Sequence, residues 1–252
     1  METFSNSRQG SKRSASVVDA EAFEKLRASR LLFGGCVLAA LAAAVNIHFI
    51  LRVGISVSHL TGDVSRLSAE FVTRPEVSHE ALRLLLSISS FVIGAMISGY
   101  VIHHPALTAA RPYGRSAIAI GVMILVAWFM EPRLPTLAYS LTAGACGFQN
   151  ALATRYRGIV IRTTHITGLL TDFGQLIGMK LAGHAVELWK PLLHALLAGS
   201  FVAGSILGAA LDLFYTNYAL LIIGATYVAV GVAWTTVKHV LPTRITGFDA
   251  RV

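Results

Sequence analysis

Six apolar runs dominate the pattern along this chain, at about residues 31–51, 81–103, 114–131, 134–153, 191–214 and 217–237. Each has the length of a helix that crosses the hydrocarbon core of a bilayer, about 17 to 25 residues. The third, "SAIAIGVMILVAWFM", is the shortest and needs its flanks to reach across. Pro132 and Pro135 bracket a tight turn between the third and fourth runs. "DLFYTNY", Asp212 to Tyr218, turns the chain between the fifth and sixth, with tyrosines suited to a membrane interface.

Two stretches depart from this pattern, "VSHLTGDVSRLSAEF" from Val57 and "RTTHITGLLTDFGQLIG" from Arg162. A span over 53–74 would hold Asp63, Arg66 and Glu70 in the hydrocarbon. Asp or Arg at the centre costs about 2.5–3.5 kcal/mol each. An interrupted segment avoids much of that cost. Roughly eight extended residues, at about 3.3 Å each, reach the midplane from one surface. A helix of about fourteen residues starting near Thr61, at about 1.5 Å each, then returns to it. Non-helical backbone at that depth must be buried in protein or line a wet cavity. The pattern therefore predicts two re-entrant half-helices, with a pair of short tilted spans as the rival.

The chain also repeats itself. His59, Thr61 and Gly62 recur as His165, Thr167 and Gly168, each 106 residues further on. Asn46 ends an apolar helix before the first motif, and Asn150 ends one before the second. "SFVIGAMISG" from Ser90 corresponds to "SFVAGSILGA" from Ser200, and one more apolar run follows in each half. Three landmarks in one order point to a duplication, residues 31–131 and 134–237. Three crossings plus one re-entrant piece per half make the repeats inverted, as in many secondary transporters. The predicted fold is an all-α integral membrane protein: six transmembrane helices, two re-entrant Thr-Gly half-helices and two inverted repeats. A basic tail of residues 1–30, with a short interfacial helix over 19–29, precedes the membrane domain of 31–237, and a tail of 238–252 follows it.

Composition agrees with lipid as the solvent: 54% of residues are hydrophobic and only 13% charged, against about a quarter charged in a soluble domain. The net charge of +8 is spread between apolar runs rather than gathered into a stripe, which argues against nucleic acid as a partner. With the N-terminus cytoplasmic and both Thr-Gly segments re-entrant, 16 of the 21 Lys and Arg residues lie on the cytoplasmic side, in keeping with the positive-inside bias. They include those of "ARPYGR" and "RYRGIVIR", which spanning segments would move outside. Cys36 and Cys146 both lie inside apolar runs and are expected to be packed small hydrophobes. No cofactor or metal is predicted, and the expected partners are the bilayer, a small solute and, through the Gly204-x-x-x-Gly208 pair, a second copy.

The repeated motif carries the candidate chemistry. A helix that begins at depth offers unpaired amides and the positive end of its dipole. Thr61 and Thr167 suit N-caps, and Gly62 and Gly168 permit close approach of a ligand or of a packed helix. His59 and His165 are ionisable groups at membrane depth, either functional or hydrogen-bonded between helices. Asn46, Gln149 and Asn150 stand where helices end beside the motif and can bridge elements or line a cavity. Asp172 offers a counter-charge to His165 or Arg162, or faces an aqueous vestibule, and Asp63 is placed to pair with Arg66 at i+3. The remaining histidines, His48 and His194 among them, lie near span ends and are given no role.

Over "CGFQNALATRYRGIVIRTTHITGLLTDFG" the chain resembles the bacterial YoaK-type membrane family, a domain of unknown function. The resemblance rests on Gly147, Gln149 and Asn150, then on Arg162, Thr163, Thr164, Thr167 and Gly168. An Asn commonly follows the first Thr-Gly in that family, so Asp63 is a departure. The resemblance implies a polytopic protein of the bacterial inner membrane and brings no reaction with it. A permease for a small polar or anionic solute is the leading expectation, a non-transporting scaffold or sensor the alternative. An enzyme is not expected, since no nucleophile partners the histidines and no phosphate loop is present.

Overall fold

The structure, a computed structural model, describes residues 29, 32–73, 78–101, 113–152, 154–156, 159–161 and 163–240. The interfacial helix expected over 19–29 (all but its last residue), the first half of "ARPYGR", Arg157, Arg162, the rest of the N-terminal tail and residues 241–252 lie outside the described residues. Eight helices follow one another within them. They are α1 (Leu32–Val53), α2 (Leu60–Thr73), α3 (His79–Val101), α4 (Tyr113–Met130), α5 (Pro135–Ala151), α6 (Ile166–Leu181), α7 (Trp189–Phe214) and α8 (Ala219–Val240). Two three-residue strands, β1 (Thr154–Tyr156) and β2 (Ile159–Ile161), pair antiparallel between α5 and α6.

Five helices, α1, α3, α4, α7 and α8, are long and apolar enough to cross a membrane. The protein is thus a membrane-embedded, polytopic, helical chain. Val92, Ile93, Met96 and Ile97 of α3 and Val202, Ile206 and Leu207 of α7 turn outward, as side chains solvated by lipid do. The remaining long helix, α5, has 17 residues and is buried almost continuously from Ala138 to Gln149. A helix enclosed on every side belongs to the interior of the bundle. Around it pack Phe49 of α1, Ile120 and Ile124 of α4, and Leu220, Ile223 and Tyr227 of α8.

In lipid the helices gain little from hiding apolar surface from one another, so close van der Waals contact carries the packing and small residues mark the contacts. A Cβ on Gly94 of α3 would lie 1.9 Å from the Gly144 carbonyl oxygen of α5, and one on Gly204 of α7 would lie 2.1 Å from that of Ala40 of α1. Gly94 and Gly204 are 110 residues apart, and Ala40 and Gly144 are 104 apart. One contact therefore occurs twice. Gly208 meets Ala44 and Ile47, so both glycines of the GxxxG of α7 pack against α1. Between α4 and α8, Gly114 meets the Gly231 carbonyl and Gly121 that of Gly224, again a contact whose members exchange at a spacing of 110.

The order of these contacts gives the directions of the helices. Along α1 and α7 the pairs Gly35–Leu197, Ala40–Gly204, Ala44–Gly208 and His48–Asp212 advance together, so the two run parallel. Ser90–Gly144, Phe91–Gly147 and Gly94–Phe148 make α3 and α5 parallel. Gly114–Gly231, Gly121–Gly224 and the bond from Trp128 Nε1 to the Asn217 carbonyl oxygen make α4 and α8 antiparallel.

The expected span limits fall within three residues of those observed, and the short helix expected from near Thr61 is α2, of 14 residues. Gly94→Ala is expected to lower stability by about 1–3 kcal/mol or more through overpacking against backbone. Gly99→Ala, where nothing lies within 4 Å of an added Cβ, is expected to stay within about 0.5 kcal/mol of the parent. Denaturant unfolding of the purified variants in detergent measures both.

Candidate functional site

The first motif is built by a chain that doubles back on its own helix. Gly54, at φ +72°, caps α1 by donating its N–H to the Ile50 carbonyl at 3.0 Å, the left-handed helix ending that glycine favours. The next residues then run back beside α1. Two turns before its end, Asn46 Oδ1 accepts hydrogen bonds from Ser56 Oγ (2.7 Å), the Val57 amide (3.0 Å) and the Ser58 amide (3.2 Å). Ser56 Oγ accepts from the His59 amide at 2.8 Å. One buried carboxamide and one hydroxyl thus satisfy the backbone that has left the helix. From Leu60 the chain climbs again, and Arg66 Nη1 donates to the Gly54 carbonyl at 2.7 Å, level with the turn it came from.

The second motif is held the same way by different bonds. Thr164 Oγ1 donates to Asn150 Oδ1 at 2.7 Å. Gln149 Nε2 donates to the Leu38 carbonyl (2.8 Å) and Thr163 Oγ1 (3.1 Å), while its Oε1 accepts from the buried Tyr227 hydroxyl at 2.5 Å. That one side chain ties α5 to α1, to α8 and to the start of α6. Asn46, Gln149 and Asn150 therefore bridge elements, the first of the two roles their position suggested. Where α1 continues seven residues past Asn46, α5 stops one residue past Asn150 and the β1–β2 hairpin takes over.

The motif histidines occupy the position before each half-helix. His59 is half-buried, its Nδ1 2.8 Å from Ser58 Oγ and its ring edge-on to Phe201 of α7, 5.2 Å between centroids. Its Nε2 is buried without a partner among the described residues. His165, ahead of α6, lies within electrostatic reach of His59. The His165 ring folds over Gly168, where an added Cβ would come 2.3 Å from Nδ1. Gly168 thus makes room for the histidine of its own motif, whereas Gly62 has open space around it.

Several expectations need correction. Thr61 and Thr167 sit inside the first turns of α2 and α6, exposed, and do not cap them: the N-cap of α6 is His165, without a side-chain cap bond. Asp172 faces His194 of α7 at 3.5 Å rather than His165. Asp63 is buried and does not take Arg66 as its ion-pair partner, since the guanidinium pairs with Glu80 and bonds Gly54.

Sequence reasoning missed a second polar cluster, where α1, α4 and α7 end together. His48 of α1, 1% exposed, directs Nδ1 at Asp212 of α7 (2.9 Å) and Nε2 at Glu131 beyond α4 (3.2 Å). Arg52 Nε donates to Asp212 at 3.3 Å, and its Nη2 donates to the Thr216 carbonyl. Both ring nitrogens facing carboxylates is the geometry of an imidazolium that donates twice. The available signal was spacing: His48 with Arg52 and Asp212 with Thr216 each stand four apart, on one helix face.

A family model described as "Protein of unknown function (DUF1275)" matches residues 34–233. No curated protein and no solved structure matches the chain.

Asp212→Asn, which leaves His48 and Arg52 without their shared carboxylate, is expected to cost about 3–5 kcal/mol of stability. Asp172→Asn, at a half-exposed pair, is expected to cost less than about 1 kcal/mol. Paired thermal and denaturant unfolding in detergent compares the two.

Proposed function

We propose a permease function from two premises: the chain belongs to the DUF1275 family of proteins of unknown function, and its helices pack in the directions that two inverted halves require. In this reading six helices cross, the five long apolar ones and α5, whose 17 residues reach about 25 Å at 1.5 Å each. The half-helices α2 and α6 each return to the face from which they entered. Then α1 runs with α7, α3 runs with α5, and α4 opposes α8, the three relations found in the packing. Were both half-helices to cross, α4 and α8 would be parallel. Were one alone to cross, α1 and α7 would oppose each other. The doubled glycine contacts support the same scheme.

One observation carries the functional step. The His59 Nε2 ahead of α2 is buried and unpartnered among the described residues, while His165 ahead of α6 stands within electrostatic reach; in this reading the two interrupted helices enter from opposite faces. The first-turn amides of α2 and α6 have no acceptor within their own helices and carry positive helix ends. Amide donors with imidazole fit a small polar or anionic solute. Such a site between repeats is the arrangement by which inverted-repeat transporters alternate access. The proposed setting is the bacterial inner membrane, with both termini in the cytoplasm.

A non-transporting scaffold or sensor is the second reading, favoured by the bridging role of Asn46, Gln149 and Asn150, which would serve packing alone. The two readings part in proteoliposomes. Thr167→Val preserves shape and Gly168→Val displaces His165. Both are expected to abolish solute flux while the protein still inserts and unfolds cooperatively. Parental flux from both variants would overturn the permease reading.

A further inference from the structure

Behind the first motif lies a polar group that the second half does not share. Asp63 of α2 (3% exposed), Ser87 of α3 (0%) and Tyr139 of α5 (1%) are all buried. Asp63 is within electrostatic reach of Tyr139, and the Ser87 and Tyr139 hydroxyls face each other. Neither hydroxyl completes a hydrogen bond, and neither does Asp63 Oδ2. The Ser56 amide points at the carboxylate, which leaves one carboxylate oxygen and two hydroxyls buried without a completed hydrogen bond among the described residues. A buried polar atom without a partner costs about 1–3 kcal/mol, so three together call for an occupant or a use.

The repeat supplies the comparison. Along the spacings that relate the halves, Asp63 corresponds to Leu169, Ser87 to Leu197 and Tyr139 to Gly35. Leu169 and Leu197 pack together in an apolar cluster, and a Cβ on Gly35 would touch Leu197 at 3.5 Å. The same three backbone positions meet in both halves. In one they hold a dry apolar contact, in the other a carboxyl and two hydroxyls. Packing alone is therefore satisfied without polar groups at these positions, and the polar version has another purpose.

We propose that Asp63, with Ser87 and Tyr139, is a proton-binding site of the chain, and, resting on the permease reading, that this proton is the coupling ion. Three oxygen donors with one negative charge are too few to enclose a metal cation, whereas a proton needs no cavity. Uptake adds a proton from water to Asp63 Oδ2 and leaves a neutral carboxyl, which no longer carries an unpaired charge among buried groups. Release returns the proton to water and leaves the carboxylate. The charged groups around it are otherwise engaged. Arg66 of α2 is held by Glu80 of α3 and the Gly54 carbonyl. Glu70 of α2 accepts from Ser78 Oγ. His59 turns to Ser58 and Phe201, and α1 meets Tyr139 through the Phe49 ring, with His48 directed to Asp212 and Glu131. None of them neutralises Asp63 by direct contact.

Infrared difference spectroscopy of the purified full-length protein across a pH titration tests this without any solute. All thirteen Asp and Glu side chains add to the carboxyl C=O band on acidification, so the expected signal is one component present in the parent and missing in Asp63→Asn. That component is expected to shift in Tyr139→Phe as a nearby hydroxyl is removed. Asn has the shape of the protonated acid, so Asp63→Asn is expected to fold. An unchanged band in Asp63→Asn, or no titrating band in the parent, overturns the proton site. Flux in proteoliposomes separates the two layers. Loss of pH dependence in Asp63→Asn supports coupling, and pH-dependent flux that survives the substitution overturns coupling while the permease reading stands. A titrating Asp63 band in a protein that moves no solute keeps the proton site and removes the permease.

Discussion

A backbone that stops being helical inside hydrocarbon has nowhere to send its amide and carbonyl groups except into the protein. The proposed re-entrant arrangement ties the bonds around both motifs to that demand. Asn46 gives one carboxamide oxygen to three donors of the segment that turns back along α1. Gln149 and Asn150 hold the hydroxyls of Thr163 and Thr164 ahead of α6. Take these amides away and the interrupted segments lose the side-chain groups of α1 and α5 that hold them. The half-helices, and the two histidines that precede them, are positioned by this small set of bonds.

The second constraint is close packing. Glycines on α3 and α7 let each outer helix ride against the first helix of the other half, and α4 meets α8 through paired glycines. Each half thereby completes its packing on the other, which is why the site belongs to the whole bundle rather than to either half. Within that symmetry the two halves diverge where chemistry matters. His165 covers Gly168 while His59 turns away from Gly62, and a buried carboxyl stands where the other half has leucine.

Much of this was legible before the structure. Apolar runs marked the crossing helices because lipid demands long uninterrupted apolar stretches, and the polar content of the Thr-Gly segments marked them as different. The order of shared landmarks pointed to a duplication, and glycine contacts recur at spacings of 104 and 110. What sequence could not reveal were partners distant along the chain. His48 reads as an ordinary residue near a span end until Asp212 and Glu131 are brought to it by the packing of α1, α4 and α7. Thr61 and Thr167 carry the usual signal of an N-cap, yet side-chain partners already satisfy the approach to each helix, and the helices begin two residues earlier than those caps would set. Asp63 stands in the right spacing to pair with Arg66, but Glu80 competes for the guanidinium.

The central claim is that α2 and α6 each return to the face they left. Single cysteines introduced into a Cys36→Ala, Cys146→Ala background at exposed positions test it, using an impermeant maleimide applied to sealed, oriented vesicles. Leu51 and Thr73 flank the first motif and its half-helix, and Ala151 and Leu181 flank the second. The account predicts that Leu51→Cys and Thr73→Cys label from one face, and Ala151→Cys and Leu181→Cys from the other. Labelling of Leu51→Cys and Thr73→Cys from opposite faces would contradict it.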